Sequence, residues 1–282
     1  MGEILVTGAT GNVGRQVVVQ LLAARVAVRA LVRDPESAGL PEGVEVVGGD
    51  LARPDTLEGA LAGRDTVFLI WPFLTTEGAP AVLEAIGRHA RRVVYLSSSG
   101  VNEDGERQTD PINQLHADME RLIEGSGTEW TFLRSNTIAF NARGWAEQIR
   151  TTRVVRGPDI AATAVIHERD VAAVAVRALT EGGYTGAKHV LTGPQVLSRA
   201  EQVHTIGEAI GRPTRFEEVP VEVARRQMLA DGRPPALVDA LLAGAGTRPE
   251  SSLITSAVEE ITGAPARTFR SWAEEHADGF RS

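Results

Sequence analysis

The sequence predicts an α/β fold, a doubly wound parallel sheet with a small, mostly helical lobe towards the C-terminus. Three observations carry that expectation. Short apolar runs alternate with helix-periodic segments through the first 134 residues, and such alternation builds a parallel sheet covered by helices on both faces. The first strand-to-helix junction, "VTGATGNVG", is spaced with glycines. After Arg134 the rhythm changes, and helix-like segments take over.

The elements follow in order. "EILVTGA" is an apolar run closed by glycine, and "NVGRQVVVQLLAA" sets apolar residues at helical spacing. "VAVRALV" is a second strand, with Arg29 in an otherwise apolar run, and "VEVVGGD" a third. "RPDTLEGALAG" reads as a helix with Pro54 near its start and Gly63 at its end. "TVFLIW", helical "APAVLEAIGRHA", "RVVYLSS", helical "NQLHADMERLIEGSG" and "WTFLR" complete the first half. Right-handed crossovers leave few ways to wind these units, and the dinucleotide-binding arrangement comes first.

Beyond it, "TIAFNARGWAEQIR" is helix-like, "TAVIH" strand-like, "ERDVAAVAVRALT" helical, "KHVLTG" strand-like and "RAEQVHTIGEAIG" helical. The chain past "RFEEVP" is mostly helical, with Gly/Pro breaks at "DGRPP" and "GAGTRP". Residues 1–150 are therefore expected to form the nucleotide-binding core. Residues 151–282 would add two strands and a helical substrate lobe that does not fold alone, since no linker or internal repeat separates them.

Composition excludes several functions. With 282 residues and 43% hydrophobic content the chain buries a substantial core. A net charge of −8 argues against nucleic acid as partner. With no cysteine there are no disulfides, thiolate metal sites or cysteine nucleophiles. Only Gly2 and Glu3 separate Met1 from an apolar strand, so no signal peptide is read, and Val17 to Val32 is broken by Gln20, Arg25 and Arg29, so no membrane span is read either. A cytoplasmic protein is expected, with no metal; its oligomeric state is not legible.

The glycine turn has a physical meaning. Gly8 permits the tight turn, Gly11 lets backbone approach a pyrophosphate, and Gly14 lets the helix pack close to the strand. Thr10, Asn12 and Val13 belong to the same cradle, and the helix N-terminus offers N–H groups to the phosphates. After the second strand stand Arg33 and Asp34. An arginine there favours the 2′-phosphate of NADP(H) over the bare ribose of NAD(H), the alternative cofactor; a solvated Arg–Asp pair in a surface turn is the competing reading.

"TGATGNVG", "LVRDP", "GGDL" and "WTFLRSNTIAFN" together resemble the NmrA-like group of atypical short-chain dehydrogenases, which have the Rossmann-type fold. "IHERDVAAVAVRAL", "HVLTGP" and "ITGAPARTFRSWAEEH" resemble it too, so the likeness spans nearly the whole chain. The resemblance implies that Asp50 and Leu51 flank the adenine. It also implies that Ile70, Trp71 and Pro72 line the cofactor, that Ser97, Ser98 and Ser99 face the nicotinamide, and that Asn136 and Phe140 border the substrate. The group includes NADPH-dependent quinone reductases, reductases of natural-product pathways and redox-sensing regulators without turnover.

Ordinary short-chain dehydrogenases keep a Tyr-x-x-x-Lys pair on the helix after the fifth strand. Here that helix is "NQLHADMERLIEGSG", without tyrosine or lysine, and His116 and Glu120 stand at the aligned positions. "YTGAK", Tyr184 to Lys188, has the right spelling, but it lies among glycines before a late strand. A glycine-broken turn does not stack residues four apart, so Tyr184 is expected to pack and Lys188 to be a solvated edge charge.

Two readings of His116 stand. Either it donates a proton, its pKa raised by a hydrogen bond to the Glu120 carboxylate one turn away, or the pair steadies a helix. Ser98 is a further candidate, to orient a carbonyl. His167, Glu168 and Asp170 in "HERD" read as a strand end and helix cap rather than a metal site. The acidic loop "NEDGERQTDP" is expected to be mobile, as a lid or a partner surface, and "VEVARRQMLADG" and "PALVDALLAG" to roof a substrate cavity. The expected function is NADPH-dependent reduction of a quinone-like or aromatic polyketide-type carbonyl without the usual pair, the alternative being an NAD(P)-sensing binding protein without turnover.

Overall fold

The computed structural model describes residues 3–105, 107–108, 110–246 and 252–281. β1 (Ile4–Val6) leads into α1 (Asn12–Ala23), β2 (Val28–Val32) and β3 (Glu45–Gly48). A 3₁₀ turn at Pro54–Leu57 opens α2 (Glu58–Leu61), then β4 (Thr66–Leu69), α3 (Ala79–His89), β5 (Arg92–Ser98), α4 (Pro111–Glu124) and β6 (Glu129–Ser135). A 3₁₀ stretch, Ala139–Trp145, precedes α5 (Ala146–Thr152), β7 (Val154–Gly157), α6 (Glu168–Thr180), β8 (Ala187–Leu191), α7 (Arg199–Ile210) and β9 (Arg215–Glu218). Then come α8 (Val221–Ala230), α9 (Pro235–Leu242), α10 (Ala257–Thr262), α11 (Phe269–Glu275) and α12 (Asp278–Arg281).

Seven parallel strands form one sheet in the order β3-β2-β1-β4-β5-β6-β8. The winding reverses between β1 and β4, and in such sheets a ligand crevice opens there, at the carboxyl ends of the strands. β4, Thr66–Leu69, is buried throughout, as a strand covered on both faces must be. On one face α1 lays Val13, Val17, Val18 and Leu21 against a core shared with Val171, Val174, Ala175 and Ala178 of α6. On the other, Leu115, Met119 and Ile123 of α4, spaced four apart, join Leu69, Tyr95 and Phe132. Arg29 reaches out of β2 to accepting carbonyls at Gly59, Ala60 and Ala62, capping the end of α2, which explains a charge in an apolar strand.

The second half departs from expectation. "KHVLTG" supplies β8, which pairs with β6, but "TAVIH" is not a strand of the sheet. Ile166 makes one bridge to Ile138, and Thr163 one to Leu197. The remaining pair, β7 and β9, forms a separate two-stranded parallel sheet. The core of this half gathers Val155, Val203, Ile206, Phe269, Trp272 and Phe280. α8 and α9 pack on each other through a small cluster of Ala224, Val238 and Leu242. α9 also touches α4, and α8 touches β7, so the pair bridges the two sides of the crevice. The break at "GAGTRP" runs into residues 247–251, outside the described residues. Among the described residues no helix is long and apolar enough to cross a membrane.

Candidate active site at the carboxyl ends of the strands

The glycine turn is built as its spacing requires. Gly8 has φ +59°, and a Cβ there would stand 3.1 Å from the Ile70 Cβ, so the turn and the end of β4 are in contact. A Cβ on Gly14 would fall 2.2 Å from the Gly8 carbonyl oxygen; only glycine allows α1 to start so close to the strand. Thr7 fastens the same junction, its Oγ1 accepting from Ile70 N–H at 2.8 Å. Thr10, Gly11 and Asn12 are exposed and Val13 is buried. Gly11 caps α1 without a side-chain hydrogen bond, which leaves the first N–H groups of the helix open to a pyrophosphate. These residues fit a dinucleotide.

At the end of β2, Arg33 is exposed, while Asp34 is occupied locally: it accepts from Glu36 N–H at 3.1 Å and Ser37 Oγ at 2.7 Å. The Ser37 hydroxyl and the Glu36 amide hold its carboxyl below the ordinary value. Asp34 is thus a turn residue, and the two neighbours are not a mutual pair. Arg15 of α1 fixes the loop behind them, donating to the carbonyls of Gly39 at 2.8 Å and Ala38 at 3.2 Å. Asp50 closes its own turn through Ala52 N–H, and the Leu51 side chain is buried in the core beside Leu31 and Leu57.

Ile70, Trp71 and Pro72 follow β4 at the switch point; the Trp71 indole donates to the Thr75 carbonyl at 2.8 Å and meets Phe73 edge-on. The serines are more committed than expected. Ser97 is only 3% exposed and donates to Glu120 Oε1 at 2.6 Å, so its hydroxyl faces α4 and not a nicotinamide. Ser98 donates to Asn113 Oδ1 at 2.7 Å and accepts from Gly100 N–H, so its proton is unavailable to orient a carbonyl. Ser99 donates its N–H to the Ser135 carbonyl. Asn136, just past β6, accepts at Oδ1 from Thr163 Oγ1 at 2.5 Å and Thr137 N–H at 2.6 Å, leaving its Nδ2 donor unengaged among the described residues. Phe140 turns towards the C-terminal lobe, edge-on to His276 with the Arg143 guanidinium 5.3 Å above its ring.

His116 and Glu120 do not work as a pair. Glu120, 3% exposed, accepts from Arg134 Nε at 2.9 Å and Nη2 at 2.5 Å as well as from Ser97. A buried carboxylate gains more from a full guanidinium than from an imidazole. His116 instead shares a 2.7 Å hydrogen bond through Nδ1 with the Tyr95 hydroxyl. Burial lowers His116 to about 4 against the pull of Glu120 and Asp110, the reverse of the expected rise. Burial and the Glu120 charge push Tyr95 up. Both groups are neutral at physiological pH. The buried tyrosine O–H, which has no other acceptor among the described residues, donates to Nδ1, so the imidazole proton sits on Nε2.

"YTGAK" lies at the sheet edge where the chain enters β8, beside the amino end of β6. Thr131 near the start of β6 donates to the Tyr184 carbonyl at 2.8 Å, and Gly186 N–H donates to Trp130. Tyr184 packs edge-on against His189. Lys188 is not a solvated edge charge: it pairs with Glu124 at 3.1 Å and Glu103 at 3.4 Å and lies over the Trp130 ring. Tyr184→Phe and Lys188→Ala are therefore expected to leave NADPH affinity and turnover nearly unchanged, checked by parallel steady-state assays; a hundredfold loss, on the order of losing a general acid, would move the site here.

The described residues of the acidic loop after β5 make several contacts. Glu103 pairs with Arg134 at 2.8 Å, and Gln108 bonds to Asn102 at both ends; Glu106 and Thr109 lie outside the described residues. In "HERD", His167 caps α6 by accepting from Arg169 N–H at 3.2 Å, and Asp170 is held by the Arg267 backbone at 2.7 Å.

Three residues that the motifs did not single out shape the site: Tyr95, Arg134 and Thr163. Arg134 had a signal, as a charge ending an apolar strand and needing an acid. Tyr95, a hydroxyl-bearing ring in the otherwise apolar "VVYL", had a weaker one.

With this geometry in view, the comparisons are specific. A family model described as NAD(P)H-binding matches residues 8–182. The chain is 41% identical over 286 residues to a (4-alkanoyl-5-oxo-2,5-dihydrofuran-3-yl)methyl phosphate reductase of Streptomyces griseus, covering 98% of this chain and 99% of the relative. It is 34% identical over 283 residues to an NAD(P)H azoreductase of Xenophilus azovorans, with 98% and 99% covered. An NADPH-dependent quinone oxidoreductase of Escherichia coli, solved with NADPH, superposes with a TM-score of 0.77 at 21% identity, covering 96% of this chain and 99% of that one, a likeness of fold.

Proposed function

The chain belongs to the NAD(P)H-binding family and is an NAD(P)H-dependent oxidoreductase of the atypical, NmrA-like short-chain dehydrogenase type; on that premise we propose that it prefers NADPH and reduces a conjugated, electron-poor acceptor. The acceptor is a quinone-like or aromatic polyketide-type carbonyl compound, or an acylated unsaturated lactone of the kind named for the Streptomyces relative, with or without its phosphate ester. The observation that carries this reading is the hydrogen bond that holds His116 to Tyr95, on a helix with no tyrosine or lysine.

When bound, the nicotinamide supplies a hydride. The glycine turn and the start of α1 hold the pyrophosphate, and Arg33 reads the 2′-phosphate. A neutral imidazole is a poor acid but a sound hydrogen-bond donor, and Nε2–H meets the negative charge that develops on the acceptor oxygen. Conjugation spreads that charge, so a quinone or acyl lactone needs no stronger acid, whereas an isolated ketone would form a basic alkoxide that this site cannot protonate well. Asn136 Nδ2 offers a second donor at the end of β6.

The test is NADPH oxidation, followed by absorbance, across a panel of quinones, acyl butenolides and simple ketones. Turnover is expected with the conjugated acceptors and not with the ketones. If no acceptor oxidises NADPH, the protein binds the nucleotide without turning it over. Arg33→Ala is expected to weaken NADPH by about 1.5–3 kcal/mol, the worth of a charge-assisted contact, while NADH binding is unaltered. Calorimetric titration with both nucleotides checks this, and equal affinities in the parent protein would refute it.

A further inference from the structure

Arg199, the first residue of α7, sinks its guanidinium between that helix and the end of β7. Nη1 donates to the Pro158 carbonyl at 3.3 Å and lies 3.0 Å from where a Cβ on Gly157 would stand, so a glycine there admits the cation. Burial lowers its pKa to about 10, with Asp159 pulling it back. Among the described residues no carboxylate pairs with it, and Nε and Nη2 have no partner. Those donors are not among the buried, unsatisfied atoms, so they open onto accessible space.

The most deeply buried arginines do carry counter-ions. Arg134 is paired with Glu120 and Glu103, Arg64 with Glu3 and Glu45, Arg29 with Glu45. Arg199 has only the Asp159 charge nearby and no direct ion pair, and a half-buried guanidinium in that position gains from an anion that joins it.

Its position says where that anion comes from. The segment after β7 exchanges two backbone hydrogen bonds between Thr163 and Leu197, two residues before Arg199. The Thr163 hydroxyl reaches Asn136 at the carboxyl end of β6. The Asp159 carbonyl accepts from Gly246 N–H, just past α9. The segments on either side of Arg199 are thus tied to the carboxyl end of β6 and to the chain past α9, whose helix packs on α4.

We propose that Arg199 is an anion-recognition residue for the substrate, its Nε and Nη2 edge taking the phosphate of an acceptor that carries a phosphate ester. This rests on the reductase reading, and it narrows the acceptor class to members with an oxyanion at the end remote from the reducible bond. The planar fork of arginine matches two phosphate oxygens, which a lysine would meet as a point charge only.

The test uses an acyl butenolide bearing a methyl phosphate and its dephosphorylated alcohol, with the parent protein, Arg199→Gln and Arg199→Lys. The ratio of kcat/KM for ester over alcohol is expected to fall roughly hundredfold in Arg199→Gln and to recover in part in Arg199→Lys. NADPH affinity, measured alongside, reports that each variant is folded. An unchanged ratio in Arg199→Gln overturns the proposal. Should the variants not fold, the parent protein decides: inorganic phosphate must compete with the ester and not with the alcohol, and failure to do so overturns it. If no acceptor is reduced, the reductase reading fails separately, and phenyl phosphate is titrated calorimetrically into the NADP⁺-saturated protein. Binding lost in Arg199→Gln upholds the anion site without turnover; equal or absent binding removes it.

Discussion

Glu120→Ala is expected to destabilise the protein by about 3–5 kcal/mol, because it leaves a buried guanidinium without its counter-charge. Arg134 is 5% exposed and makes two hydrogen bonds to Glu120. Its remaining partner, Glu103, is 56% exposed in its side chain and sits on a loop, so solvent screens what it can return. The same carboxylate accepts from Ser97, so one substitution loosens the ends of both β5 and β6. Glu120→Gln keeps an acceptor and much of the shape, and should lose less. Urea denaturation measures both variants; the midpoint should drop while the slope stays constant. A midpoint shared by the parent and Glu120→Ala would mean that the ion pair is not what holds the strand ends.

The fold was legible because its signals are local. The apolar run Val67–Leu69 of β4, the four-residue spacing of Leu115, Met119 and Ile123, and a glycine turn between strand and helix each constrain the backbone alone. Pairing in the second half is not local. "TAVIH" and "KHVLTG" are both short β-rich runs, and only tertiary contact decides that the second zips onto β6 while the first touches Ile138 and Leu197 at single bridges. The chain instead pairs "VVRG" with "RFEE", a polar combination that periodicity does not flag.

The candidate site divides in the same way. The turn at Gly8, Gly11 and Gly14 is a backbone device and could be read directly. Partners of polar side chains could not, since several were within reach of each. Helical spacing put Glu120 one turn from His116, but Arg134, arriving from β6, outbid the imidazole with a full charge. Ser97 and Ser98 then found acceptors on α4, Glu120 and Asn113. Spelling alone would make "YTGAK" a catalytic pair, and its glycines were the better guide: it is the turn into β8 at the amino end of β6.

His116→Ala is expected to lower kcat roughly 10²–10³-fold, the usual loss on removing a donor aimed at developing charge, while NADPH affinity hardly moves. The pH dependence separates this role from that of a charged acid. With its pKa lowered to about 4, His116 is neutral from pH 5.5 upward, so kcat should be flat to pH 8; a cationic donor would instead lose rate as pH rose through its pKa. The same shift acts on stability with a definite sign. Its folded value lies below the unfolded 6.5, so the contribution is fully present above pH 6.5 and is lost as pH falls towards 4, on the order of 3 kcal/mol. His116→Gln should therefore flatten the acid limb of the stability curve. Tyr95→Phe removes the acceptor's partner at Nδ1 and lets the ring proton occupy either nitrogen, so kcat should fall by less than in His116→Ala, roughly tenfold. Steady-state kinetics on a quinone from pH 5.5 to 8 measure all three variants. Full activity in His116→Ala would mean that the acceptor takes its proton from water, and the Tyr95–His116 bond would then be a packing contact alone.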